Sequence, residues 1–200
     1  MWELEMGGKA IAKILGILFH PRAEWERIKK APSFSSGRFL KGVLCFSAVS
    51  PILKFIFDFL YGNIRRPFYG LSWNVLWDYV LRSFVSYLLS VLSAFLALAT
   101  ISMAAKLFFS KKEVPSSRVL VYYSFIPFWL SGICYAIPKI GGMLKVALSL
   151  YMFYVLFLGM NSNLLNIPRE KIKPYFLSCS SVIIVLFAIL ELTKLVFLFL

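Results

Sequence analysis

The feature that most constrains this chain is a pair of long apolar runs joined by a turn too short to do anything but reverse direction. Residues 119–137 carry Tyr122-Tyr123-Ser124-Phe125-Ile126-Pro127, Pro138-Lys139-Ile140-Gly141-Gly142 follows as a turn, and a second apolar run extends over residues 143–160. Each run approaches the roughly 20 residues that a helix needs to cross about 30 Å of hydrocarbon. A helix satisfies its own backbone in a bilayer, so the two runs are predicted to be antiparallel helices lying side by side. Arg118 precedes this hairpin, and Asn161-Ser162-Asn163 and Arg169-Glu170-Lys171-Ile172-Lys173-Pro174 close it.

The rest of the chain is equally apolar. It is 60% hydrophobic and 16% charged over 200 residues, with 20 Phe, and its mean hydropathy is +0.79. One soluble core cannot hide that much apolar surface, so the chain belongs in a bilayer. The formal charge of +13 comes largely from Lys and Arg that flank the apolar runs, which excludes a nucleic-acid patch and fits a membrane protein. The three cysteines, Cys45, Cys134 and Cys179, each sit singly in an apolar run, a pattern of buried filler rather than disulfides or metal ligands. No cofactor is implied.

Before the first long run, residues 8–20 place Ile11, Leu15 and Leu18 on one helical face and Lys9, Lys13, Gly16 and His20 on the other. This reads as an interfacial helix, too short to span. The run Ile14-Leu15-Gly16-Ile17-Leu18-Phe19 lacks the length and cleavage site of a signal peptide, so the first span is expected to serve as the insertion signal. Pro21 to Lys30 forms a second short helix, with Pro at its start, acids early and bases late. Trp25 and Ile28 share a face, with Trp25 expected at headgroup level. Residues 31–37 are breaker-rich and read as a linker.

These elements predict an all-α integral membrane protein with five transmembrane helices, near 39–61, 80–109, 119–137, 140–160 and 175–200, after an N-terminal interfacial segment, 1–38. Pro51 should kink the first span. Trp73, Trp77 and Tyr79 read as interfacial anchors. In the second, Ser83, Ser86, Ser90, Ser93, Ala97, Thr100 and Ala104 recur at alternating steps of three and four, a small-residue stripe that reads as the main helix-packing seam. Orientation follows from counting. On one side fall Lys9, Lys13, Arg22, Arg27, Lys29, Lys30, Arg38, Lys111, Lys112, Arg118, Arg169, Lys171 and Lys173; the other holds Arg65, Arg66 and Lys139. The positive-inside rule therefore predicts a cytoplasmic N-terminus and an external C-terminus in an inner (plasma) membrane.

The candidate chemistry is sparse. His20 is the one histidine, and no Ser-His-Asp or His-Glu-x-x-His arrangement exists, so hydrolase and metalloprotease classes are excluded. Lys54, Asp58, Asp78, Arg82, Lys145, Glu191 and Lys194 all fall in the predicted outer half of the bilayer. Glu191 lies about 24 Å along its span from Tyr175. Lys54 with Asp58, and Glu191 with Lys194, have spacings for ion pairing along one helix face. These charges read either as structural pairs that close the bundle or as an outward pocket for an ion, proton or lipid headgroup. A second candidate surface is the basic N-terminal region, with Lys9, Lys13, Arg22, Trp25, Arg27, Lys29 and Lys30 as contacts to anionic lipid.

Tyr122 to Pro127, Ile137-Pro138-Lys139-Ile140-Gly141-Gly142 and the aromatic-aliphatic run from Tyr151 to Met160 together resemble the Yip family, the Ypt/Rab-interacting membrane proteins and their bacterial and archaeal relatives. Pro21 to Ile28 is similar to the Pro-x-x-x-Trp opening of prokaryotic members, and the resemblance runs from about Phe19 to Phe187. It implies five spans, a cytoplasmic N-terminus, no enzymatic activity and a role as membrane organiser or adaptor acting through protein partners. In eukaryotic relatives those partners include small GTPases. The short N-terminal segment here lacks the acidic or proline-rich region of those members, so a small GTPase is not the expected partner and a prokaryotic inner-membrane protein is. The alternative is a small transporter or channel component, as a homo-oligomer, using the outer-half charges. Five spans do not divide into equal inverted halves, which weakens that alternative.

Overall fold

The computed structural model describes residues 12–30, 35–65, 73–109, 114–137, 139–162, 164–165 and 167–199. Lys9, Arg66, Lys111 and Lys112, the linker residues 31–34, and the side chains of Arg65, Trp73 and Lys194 lie outside the described residues.

Among the described residues the protein is 92% helical with no strand. A short α1 (12–19) leads into α2 (Pro21–Lys29), followed by α3 (Ser36–Ser47), α4 (Val49–Arg65), α5 (Trp73–Phe109), α6 (Val114–Leu130), a 3₁₀ segment (Ser131–Ala136), α7 (Gly141–Asn161) and α8 (Arg169–Phe199). Five segments are long and apolar enough to cross a membrane: Ser36–Tyr61, Leu76–Phe108, Ser116–Ala136, Gly141–Asn161 and Arg169–Thr193. Successive spans alternate in direction. Near one end of the bundle the Tyr61 hydroxyl donates to the Ala136 carbonyl at 2.6 Å. Near the other, Tyr175 donates to the Ile101 carbonyl at 2.8 Å and packs edge-on against Phe108. The first is called here the turn end and the second the α2 end.

The third span is the centre. Of its most apolar window 56% is buried, against 17–33% for the other spans. It packs against α3, α5 and α7, and its aromatic side chains mesh with theirs. Trp129 stacks on Phe46 with ring centroids 6.0 Å apart, and Phe125 meets Phe187 of α8 edge-on at 6.0 Å. The prolines act as their chemistry requires. Pro51 sits in the first turn of α4, where its missing N–H costs nothing, and the first span breaks just before it, at Ala48. Pro127 lies inside α6, and the chain tightens into the 3₁₀ segment four residues later. That tightening brings Gly132 against α4, where an added Cβ would lie 2.5 Å from the Ser50 Cα. The turn is completed by Lys139 in the left-handed region, at φ 76°. Pro174, expected to end a loop, instead lies in the second turn of α8, so the carbonyl it leaves without a helical partner is that of Glu170 at the helix start.

The N-terminal helices depart most from expectation. They are tucked into the α2 end rather than laid flat upon it. Trp25 is 1% exposed, so it is not the lipid-surface contact that its amphipathic setting predicts. Its indole N–H donates to the Val155 carbonyl of α7 at 3.1 Å, and its ring meets Tyr123 of α6 edge-on at 6.1 Å. Gly159 makes the room, since a Cβ there would stand 2.6 Å from the Trp25 ring. On α1, Ile17 is fully buried, and the Leu18 carbonyl at the helix end accepts from the Tyr151 hydroxyl at 2.9 Å. Loss of the indole donor in Trp25→Phe should lower stability by about 1 kcal/mol. Truncation in Trp25→Ala should cost about 3–5 kcal/mol. Both are read from unfolding in detergent, where Lys30→Ala on the exposed end of α2 serves as the silent control.

Candidate functional site

The turn-end half of the bundle holds a partly open cavity of about 70 Å³, its wall mainly apolar with several hydroxyl and charged groups set in it. Six segments build its wall. Ser50, Pro51 and Lys54 come from α4, Ser86, Leu89, Ser90 and Ser93 from α5, and Phe128 from α6; Tyr135 comes from the 3₁₀ segment, Lys145 from α7, and Phe187, Leu190 and Glu191 from α8. Its volume admits several water-sized groups. Lys145 is one turn into α7, about 6 Å from its start, and Ser93 lies near the middle of the second span, so the cavity reaches from near the turn end to about mid-bilayer.

Tyr135 organises the charges. The Lys145 ammonium donates to the Tyr135 hydroxyl at 2.9 Å and stands 5.3 Å from the ring centroid, while Lys54 stands 5.6 Å from the same ring. Two cations share one aromatic residue, Lys145 through the hydroxyl and Lys54 through the ring. Lys54 is neutralised by Asp58 one turn on, with both side chains part-exposed. Arg82 pairs with Asp78 at 2.7 Å on α5. Lys145 has no carboxylate within ion-pair distance among the described residues. Since the Tyr135 oxygen accepts from Lys145, its own proton is left to donate. Deeper in, Ser93 donates to the Ser90 carbonyl at 2.7 Å, while the Ser90 hydroxyl, in a residue 8% exposed, finds no partner.

The structure thus brings Lys54, Lys145 and Glu191 to one cavity, with Asp58 beside Lys54. Asp78 and Arg82 form their own pair and do not line it. The side chain of Lys194 is outside the described residues. The small-residue stripe divides: Ala97 is buried against neighbouring helices, whereas Ser86, Ser90 and Ser93 form cavity wall. Sequence reasoning had assigned the whole stripe to packing. It also missed Tyr135 and Ser50, which sit on elements whose approach is set by Gly132; the signal available was a tyrosine ten residues before Lys145 across a tight turn.

At the α2 end basic side chains outnumber acidic ones among the described residues. Arg22, Arg27, Lys29 and Lys30 of α2 are exposed, as are Arg169, Lys171 and Lys173 at the start of α8. Glu26 and Glu170 are exposed acids at the same end, and Glu24 is buried, 3% exposed and paired to Arg27 at 3.3 Å.

A family model described as Yip1 domain matches residues 15–190, which takes in α2, the first four spans, most of the fifth and every cavity residue except Glu191. The chain belongs to the Yip1-domain family. No curated protein and no solved structure matches it. The match extends over Trp25 and its seat on α7.

Breaking one member of a partly buried pair should cost more than removing both. Asp58→Asn is expected to lower stability in detergent by about 1–3 kcal/mol, and the double variant Lys54→Met/Asp58→Leu to recover part of that loss.

Proposed function

We propose that this Yip1-domain protein is a non-enzymatic membrane organiser or adaptor of the inner (plasma) membrane, with its N-terminus and its α2 end in the cytoplasm. The observation that carries this reading is the docked, predominantly basic α2. Arg22, Arg27 and Lys29 are held on a helix anchored through Trp25, with Lys30 at its end, and Arg169, Lys171 and Lys173 are exposed at the start of α8. A flexible basic tail would set topology alone, but a docked helix also presents its charges in a fixed pattern to an anionic lipid surface or an acidic protein face. Each such residue near an anionic bilayer contributes on the order of 1 kcal/mol.

The polar cavity favours a second reading, a small transporter or channel component. Its lining supports that reading only in part. Below Ser93, Ala94, Ala97 and Ile101 are buried with at most 1% exposure, so the hydroxyl-lined wall gives way to packed apolar side chains.

The experiments are two. Photocrosslinking in cells from Arg22, Lys30, Asn161 and Lys173 should capture a discrete protein, and recovery of lipid adducts alone from all four positions would remove the protein-adaptor reading. In a cysteine-free background, Lys139→Cys should react with an impermeant maleimide on intact cells and Lys173→Cys only after permeabilisation. The opposite labelling would invert the orientation.

A further inference from the structure

The polar cavity does not stand alone. On the outer face of the α4–α5 pair lies an apolar groove of about 370 Å³, lined by Ala48, Pro51, Ile52 and Phe55 on one side and Val80, Ser83, Phe84 and Tyr87 on the other. Pro51 is a wall of both spaces. On α5 the row of serines passes from the groove, at Ser83, to the cavity, at Ser86 and Ser90. A polar recess and a hydrocarbon-lined groove that meet at one residue, within the bilayer, match the two ends of an amphiphile.

We infer that the cavity and the groove together bind one membrane phospholipid, its phosphate held by Lys145, Tyr135 and Ser90 and an acyl chain laid along the α4–α5 groove. Three observations converge on a phosphate. Lys145, one turn into its span, forms no ion pair with a carboxylate among the described residues, although Glu191 lines the same cavity, so its ammonium keeps donor capacity for an anion beyond the bond to Tyr135. The Tyr135 hydroxyl accepts from Lys145 and so has its proton to give. Ser90 is more than nine-tenths buried, lines the cavity and has an unpartnered hydroxyl, which a buried polar group does not tolerate without a partner. All three groups can donate, which is what phosphate oxygens require.

The lipid, rather than a free anion, follows from the groove. Ile52 and Phe84 are 54% and 55% exposed, so this face meets hydrocarbon already, and a chain lying there would carry its headgroup past Pro51 to the cavity. The Lys54–Asp58 pair bounds the site and supplies no net charge. The site is independent of any protein engaged at the α2 end.

The test uses the full chain in detergent and native mass spectrometry with dioleoylphosphatidylglycerol, dioleoylglycerol, which has the same chains without phosphate, and inorganic phosphate. The phospholipid should be retained at one per chain. Dioleoylglycerol and inorganic phosphate should each bind at least about tenfold more weakly, because each lacks half of the interaction. Lys145→Leu should weaken phospholipid retention about tenfold, with Lys145→Arg retaining it, and Ser90→Ala should weaken it about threefold. Ser83→Trp, which fills the groove, should weaken the phospholipid and leave inorganic phosphate unchanged. Equal retention of dioleoylglycerol and phospholipid would overturn the phosphate site, and equal binding of inorganic phosphate and phospholipid would overturn the groove. Should Lys145→Leu fail to fold, undiminished retention by Ser90→Ala overturns the assignment.

Discussion

Everything in this bundle is placed by the burial of α6. In hydrocarbon, apolar side chains gain nothing by leaving one oily surface for another, so helices associate through close packing and hydrogen bonds that lipid cannot supply. A helix covered on most sides must therefore offer shape to every neighbour. The third span does this with Tyr122, Tyr123, Phe125 and Trp129, whose rings interlock with Phe46, Trp25 and Phe187 from three other helices. The remaining spans keep most of their surface toward lipid. The chain is thus one central helix dressed by four, not a ring around a pore.

Apart from the Lys145–Tyr135 bond, the side-chain hydrogen bonds between helices among the described residues follow one pattern. Tyr61, Tyr151, Tyr175 and Trp25 each donate to a backbone carbonyl of another element. A carbonyl oxygen has two lone pairs, so those inside α5 and α7 can accept a second bond without giving up the helical one. The Leu18 carbonyl at the end of α1 lacks a helical partner and gains one from Tyr151. This device explains why α1 and α2 leave the interface. The donor on Trp25 is better satisfied inside, and Gly159 opens the seat.

The same logic bears on the cavity. Where α4 crosses the 3₁₀ segment at Ser50 and Gly132, backbones approach too closely for side chains to fill the space beyond. Hydroxyls and ammonium groups line what is left. Lys54, Lys145 and Glu191 were legible as a set because charges within apolar spans are rare and share a depth once the direction of each span is known. Tyr135 and Ser90 were not. A serine on a small-residue stripe looks the same whether it faces a helix or a void, and a tyrosine at a span end looks like an interfacial anchor. Only the angle at which the 3₁₀ segment meets α4 and α7 distinguishes them.

By itself, then, the sequence determined the number of spans, their order and alternation, the hairpin turn and the one-sided charge. These are consequences of hydrocarbon thickness, backbone satisfaction and residue type, all read locally along the chain. The first span's break just before Pro51 was legible for the same reason. Tertiary structure alone decided which span lies at the centre, that Trp25 turns inward, and that one stripe on α5 is packing below Ser93 and cavity wall above it. Those outcomes depend on how faces separated by a hundred residues fit one another, and in a membrane, where hydrophobicity no longer tells inside from outside, fit is a property of the assembled helices.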